Sequence, residues 1–177
     1  LEEGSSIKVE DAIMALIIKS ANDVATVVAE NIAGTEKEFA KLMTQYARSL
    51  GMNDTTFKNA SGLPNRAQLT TARDISILSH ALISNFPKEY KFFKKEKFTY
   101  NGKTYKTHNK LMLNYSGADG IKTGYIRASG FQLAFSAVQN NKRLIGVIFG
   151  GDTGKQRDRS LKIIMDKEFG ELGINNN

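Results

Sequence analysis

Three extended runs follow one another without interruption, at 121–125, 131–138 and 143–149, and a helical pattern comes directly after them. Phe131, Leu133, Phe135 and Ala137 alternate with other residues, the period of a strand with one face turned to a core. The third run, from Arg143 to Phe149, is nearly all apolar and reads as a central strand. Asn140-Asn141 makes the turn between the second and third runs. Neighbours joined this tightly can pair only antiparallel, because a parallel partner needs a crossover of a dozen or more residues. The helix expected over about 154–169 turns Leu161, Ile164 and Met165 inward to cover the sheet. Three strands make a small sheet, and the apolar third strand has no partner on its far side in the sequence. The expectation is that further strands belong to this sheet and lie outside the chain.

The earlier part is helical. Val9, Ile13, Leu16 and Ile17 repeat at helical spacing and stop near Ser20, with Glu10 and Asp11 in the first turn. Val24, Val27, Val28 and Ile32 form a second stripe, ending at Gly34. Thr35 with Glu38 is a capping box, and it opens a third helix with a face of Phe39, Leu42, Met43, Tyr46 and Leu50. Residues 52–70 are rich in turn formers, with a short strand at 55–57. Thr71 caps a fourth helix bearing Ile75, Leu78 and Leu82. A basic, aromatic stretch follows over 88–106, where Asn101-Gly102 between two β-prone runs is a two-residue hairpin signal. The tail, residues 175–177, reads as frayed. Together these patterns make one partial domain over 1–177, a helical lobe at about 9–115 and a sheet with its C-terminal helix at about 118–172.

The chain of 177 residues is long enough for one domain with a core. It has no cysteine and two histidines, which excludes disulfides, thiol catalysis and Cys-based zinc sites and disfavours a histidine-rich metal site. The formal net charge of +7 favours anionic partners without choosing among them. The aromatics of 88–106 could stack on single-stranded nucleic acid, but cross-strand packing in a hairpin accounts for them more simply. No apolar run reaches membrane-spanning length. The opening Leu1-Glu2-Glu3-Gly4, without an initiator methionine, reads as a processed or truncated product.

Two short motifs remain unexplained by core formation. Lys122-Thr123-Gly124, entered through Gly117 and Gly120, offers a cation, a hydroxyl and a residue with no side chain. That order suits gripping a small anion while another backbone lies alongside the strand, and it also suits an edge strand with a solvated lysine. Ser20-Ala21-Asn22 places a hydroxyl and an amide where the first helix breaks. Those residues serve equally well as helix caps.

Taken together, Ser20-Ala21-Asn22 and Lys122-Thr123-Gly124 are two of the three motifs of serine penicillin-binding proteins and class A β-lactamases. Val9-Glu10-Asp11-Ala12 leads into Lys19-Ser20-Ala21-Asn22-Asp23. Asn59-Ala60-Ser61-Gly62-Leu63-Pro64, Thr71-Ala72-Arg73-Asp74, His108-Asn109 and Asp119-Gly120-Ile121-Lys122-Thr123-Gly124-Tyr125 follow in the family's order. The chain resembles a D-alanyl-D-alanine carboxypeptidase of the low-molecular-mass penicillin-binding type. The resemblance implies an α/β (α+β) fold of the β-lactamase/DD-peptidase kind, an antiparallel sheet with a helical lobe, the first helix and early strands being absent here. It also implies a serine peptidase that trims peptidoglycan stem peptides ending in D-Ala-D-Ala through an acyl-enzyme.

The family's first motif, Ser-x-x-Lys, supplies the nucleophile and its base. Ser5-Ser6-Ile7-Lys8 has that spacing but precedes the first helix, where positions three apart face opposite sides of an extended chain. The nucleophile is therefore expected outside this chain, which alone would be inactive. By resemblance, Ser20 relays a proton to the leaving amine, Asn22 holds the substrate amide and Lys122 keeps the local field positive. Thr123 binds the terminal carboxylate, Gly124 admits the peptide, the Tyr125 N–H is an oxyanion-hole donor and Arg157 assists with the carboxylate. Arg157 reads equally as a surface arginine at a helix start. Ile126 departs from the threonine usual after Lys-Thr-Gly-x, which bears on substrate preference, and His108 reads as a landmark of the fold. No cofactor or metal is implied. The implied partners are the stem peptide and β-lactams, with membrane association through absent segments and no nucleic acid. The implied location is the bacterial cell envelope, periplasmic or on the outer face of the inner membrane. Two other readings share the motifs, a non-catalytic module that binds wall peptide or β-lactam and a class A-like β-lactamase.

Overall fold

A computed structural model describes residues 1–174, and the tail expected to fray, 175–177, lies outside the described residues. The described residues form two compact units, Leu1–Asp74 with Lys95–His108, and Ile75–Lys94 with Asn109 to Ile174.

The first unit begins with α1 (Val9–Met14), which runs directly into a π-helical turn, Ala15–Lys19, before α2 (Asn22–Ala33) and α3 (Glu36–Ser49). Thr35 caps α3 by accepting a hydrogen bond from the Glu38 N–H at 3.1 Å, and Gly34 closes α2 at φ 77°. The apolar stripes do not all turn inward as their spacing suggests. Val9 is 78% exposed and Ile32 61%, and Leu42 and Tyr46 also face out. Ala12, Ala15, Ala25, Ala29, Ala40 and Ala47 are buried in their place. Small side chains let helix backbones approach closely, so the contact faces are rows of alanine that a search for large apolar residues passes over.

The expected strand at 55–57 reduces to a single bridge, Thr56 to Leu69. Its loop is tied down by Asp74, which opens α4 (Ala72–Asn85) and is 2% exposed. The Asp74 carboxylate accepts from the Asp54 N–H at 2.9 Å and the Thr55 hydroxyl at 2.6 Å. The hairpin forms as its turn residues require, β1 (Lys97–Tyr100) against β2 (Lys103–Lys106), with Asn101 at φ 46° and Gly102 at φ 73°. Phe98 stacks on its cross-strand partner Tyr105 with ring centroids 6.4 Å apart. Hairpin packing accounts for Phe98, Tyr100 and Tyr105 only, whereas Tyr90 and Phe93 of the same basic stretch lie in a 3-10 turn and pack with Ile121 and Ala134.

The second unit holds the rest of α4, a 3-10 turn at Glu89–Lys94, the short α5 (Lys110–Asn114) and an antiparallel sheet with α6 (Gly154–Glu171). The sheet order is β3 (Ala118–Ile126), β4 (Gly130–Gln139), β5 (Lys142–Gly151). The central strand is therefore β4, and the apolar β5 lies at an edge of the described sheet, contrary to the expectation from its composition. Its residues 143–148 are half-buried, with side chains in contact on both faces. Leu144 and Ile148 pack with Phe135, Leu161 and Phe169, while Ile145 and Val147 pack with Tyr90, Ile75 and Leu82. On α6 the buried row is Arg157, Leu161, Met165 and Phe169, spaced by four, and Ile164 is 48% exposed instead of inward.

Candidate functional site

The expected site residues fall in both units, Ser20 and Asn22 in the first, and Lys122, Thr123, Gly124, Tyr125 and Arg157 in the second.

Ser20 ends the π-helical turn in a left-handed backbone conformation, φ 55° and ψ 49°. A residue with a Cβ held there stores roughly 1–3 kcal/mol of strain, and such strain and single π-turns concentrate at functional positions. The N-cap of α2 is Ala21, so neither Ser20 nor Asn22 supplies a side-chain cap to that helix. The helix-cap reading holds only for Ser20, which is the C-cap of the π-helical turn through its backbone, and not for Asn22. Ser20 and Asn22 are both exposed, on either side of one residue. Lys19, immediately before, lies 5.7 Å over the Tyr105 ring, with Lys103 at 5.5 Å from the same ring. The β1–β2 hairpin thus packs against the turn that carries Ser20. Ser5 and Lys8 lie in a non-helical segment, and the Ser5 hydroxyl donates to the Glu2 carbonyl at 2.6 Å.

In the second unit, β3 presents Lys122, Thr123 and Gly124 opposite Ala134, Leu133 and Gln132 of β4. Burial brings the Lys122 ammonium down to about 8 from its ordinary 10.5, and it donates to the Thr123 carbonyl at 3.0 Å. This is not a solvated lysine. A Cβ at Gly124 would lie 2.8 Å from the Gln132 Oε1, the end of a flexible side chain that can move aside, so packing within the sheet does not itself demand glycine there. Tyr125 is 58% exposed, with its ring against Phe131 at 4.4 Å. Ile126 closes β3 opposite Gly130. Beyond it is an open recess of about 440 Å³ lined by Tyr125, Arg127, Gly130, Phe131, Gly150 and Asp152.

Arg157 is 4% exposed, which overturns its reading as a surface arginine. Its Nε and Nη2 donate to Asp158 at 2.9 and 2.6 Å, and Nη1 donates to the Gln132 carbonyl at 3.2 Å. It therefore braces the β4 backbone at the residue paired with Gly124. Motif reading did not find a second group of residues, Tyr90, Asp119, Ser136 and Arg143, linked by hydrogen bonds across the sheet. Asp119 stands in the quoted run before Lys122, but nothing in sequence spacing connects it to Tyr90 or Arg143.

The sequence profile of the D-alanyl-D-alanine carboxypeptidase family matches residues 1–153. The D-alanyl-D-alanine carboxypeptidase DacD of Escherichia coli is 35% identical over 166 residues, covering 93% of this chain and 43% of its own length. DacF of Bacillus subtilis is 34% identical, covering 97% and 45%. The crystal structure of penicillin binding protein 5 from Haemophilus influenzae superposes with a TM-score of 0.92 at 31% identity, over 96% of this chain and 50% of that one. Penicillin-binding protein D2 of Listeria monocytogenes in its ampicillin-bound form gives 0.85 at 31% identity, over 92% and 68%. The chain belongs to the D-alanyl-D-alanine carboxypeptidase family and has the mixed helix and antiparallel-sheet fold of the penicillin-binding proteins. It spans less than half the length of the curated relatives named here.

Proposed function

We propose that this chain carries the binding and proton-handling part of a serine-type D-Ala-D-Ala carboxypeptidase site, acting on peptidoglycan stem peptides in the bacterial envelope. The observation that carries the reading is Lys122, a half-buried cation with a lowered pKa whose strand continues into Thr123 and Gly124. In a partly desolvated setting the attraction between that ammonium and a peptide carboxylate is stronger than it would be in water. Thr123 offers that carboxylate a hydroxyl, and Arg157 holds the neighbouring strand in place. Ser20 and Asn22, exposed in a strained turn, serve as proton relay and amide-binding group.

The nucleophilic serine and its lysine base belong to residues outside this chain. The non-helical course of Ser5 to Lys8 supports that assignment, because the pair needs one turn of helix to bring lysine and serine to one face. β-Lactams, which imitate the D-Ala-D-Ala end, would acylate that same serine.

Two measurements on this chain test the reading. Incubation with excess benzylpenicillin followed by intact mass spectrometry is expected to show no adduct, and a stoichiometric adduct on Ser5 or Ser20 would overturn the assignment of the nucleophile. Titration of an acyl-D-alanyl-D-alanine peptide is expected to shift the NMR signals of Lys122 and Thr123. Saturable binding that survives Lys122→Ala together with Thr123→Val would refute the carboxylate site.

A further inference from the structure

Asp119 occupies a bulge. Ala118 pairs with Ala137 of β4 and Gly120 with Ser136, so Asp119 has no partner of its own in the ladder. An extra residue of this kind changes the side-chain phase of the strand beyond it, and a slip of one residue turns every later side chain to the opposite face. Hydrophobic alternation normally guards against such a slip. In β3 it is weak, because Ala118, Gly120 and Ile121 are buried while Asp119 and Lys122 to Gly124 are all half-buried. The strand has a ladder neighbour on one side only among the described residues. The register that places Lys122 and Thr123 must be held by something else.

A polar strap crosses all three strands at this point. Arg143 of β5 grips the Asp119 carboxylate with two nitrogens, at 2.9 and 2.8 Å, and its Nη1 also donates to the Ser136 hydroxyl of β4 at 2.5 Å. Tyr90, from the 3-10 turn, donates its hydroxyl to Asp119 at 3.1 Å, and its ring lies 5.5 Å from the Arg143 guanidinium. The pair is largely shielded, with 19% of the Asp119 side chain and 30% of Arg143 exposed, and a two-pronged Arg–carboxylate contact fixes direction as well as distance. Gly120 completes the fit, since a Cβ there would come within 2.6 Å of the Tyr90 hydroxyl. On the chain's other flank, the Asn109 amide donates to the Gly120 carbonyl at 3.3 Å.

We propose that Asp119, Arg143 and Tyr90 are positioning residues that lock the bulge at the head of β3 and so set the faces on which Lys122 and Thr123 stand. They touch no substrate and act through the strand. The importance of those faces rests on the reading of Lys122 and Thr123 as the carboxylate-binding residues.

The test compares the 177-residue chain with its Asp119→Asn, Tyr90→Phe and Arg143→Lys variants by amide hydrogen exchange, Lys122 titration by NMR and acyl-D-alanyl-D-alanine affinity. In Asp119→Asn, exchange at 121–125 is expected to quicken while that at 133–137 holds, and the Lys122 midpoint should rise from about 8 towards 10.5. Peptide affinity should fall about tenfold, the scale of one lost charge-assisted hydrogen bond. Tyr90→Phe should move each readout the same way by a smaller amount. Arg143→Lys should behave like Asp119→Asn, because a lysine keeps the charge but not the fork.

Unchanged exchange at 121–125 with an unchanged Lys122 midpoint overturns the proposal. Equal loss of protection in β4 overturns it too, by showing a general structural role. Should Asp119→Asn fail to fold, Tyr90→Phe decides by the same criteria. Absence of peptide binding in the unmodified chain refutes the functional reading alone, since the exchange and titration results still judge the strap.

Discussion

Replacing Lys122 with methionine should make this protein more stable while removing its candidate anion site. Burial holds the ammonium at about 8 in the folded chain against 10.5 when unfolded. The unfolded chain therefore binds more protons than the folded one between those values, so stability rises with pH across that window. Below about pH 8 the full cost of keeping the ammonium protonated is present, and at about 1.4 kcal/mol for each pH unit it is on the order of 3 kcal/mol. Methionine removes that cost and keeps most of the side-chain volume, but it gives up the hydrogen bond to the Thr123 carbonyl and one further contact of the ammonium, a loss of about 1 kcal/mol each. The expected net gain at pH 7 is roughly 1 kcal/mol. Urea unfolding of both proteins at several pH values between 7 and 10.5 measures it, and the advantage of Lys122→Met should shrink steadily as pH rises. A variant less stable than the parent at pH 7, or an advantage independent of pH, would refute the argument that Lys122 is held at a cost to the fold.

Ser20→Gly relieves the left-handed backbone at φ 55° and should raise thermal stability, by about 1 kcal/mol, while deleting the hydroxyl. An unchanged or lower melting temperature would count against strain at Ser20. Gly120→Ala should destabilise the chain by roughly 2 kcal/mol, and by clearly less in a Tyr90→Phe background, where the hydroxyl that meets the new methyl at 2.6 Å is gone. Equal losses in the two backgrounds would place the clash elsewhere. Asp74→Ala leaves the Asp54 amide and the Thr55 hydroxyl without their acceptor in a buried position and should cost about 3 kcal/mol in urea unfolding. A cost under 1 kcal/mol would mean that the loop does not depend on that carboxylate.

Local chemistry decided what was legible from sequence. Asn101-Gly102 specified its hairpin because two consecutive positive φ angles suit few other residue pairs. Thr35 with Glu38 marked a helix start for the same reason, a hydrogen bond spanning only three residues. Ser20-Ala21-Asn22 and Lys122-Thr123-Gly124 were legible as motifs because their order along the chain carries their chemistry. The inward faces of α2 and α3 were not, because a spacing rule ranks large apolar residues first and these helices bury alanines. The edge position of β5 followed from the lack of a far-side partner in the sequence, whereas its apolar run, read as a central strand, reported contacts on two faces and said nothing about ladder neighbours.

The sequence by itself determined most of the helices, the hairpin, the antiparallel sense of the last three strands and the motif residues, which depend on neighbours a few positions apart, and the order of those motifs along the chain carried the family. The strained backbone of Ser20, the burial that alters Lys122 and the bracing of Arg157 against Gln132 were decided only by tertiary structure. So was the strap from Asp119 to Arg143 and Tyr90, whose partners lie 24 and 29 residues away along the chain. Charge, desolvation and strain depend on what surrounds a group in space, and that surrounding exists only once distant segments have packed.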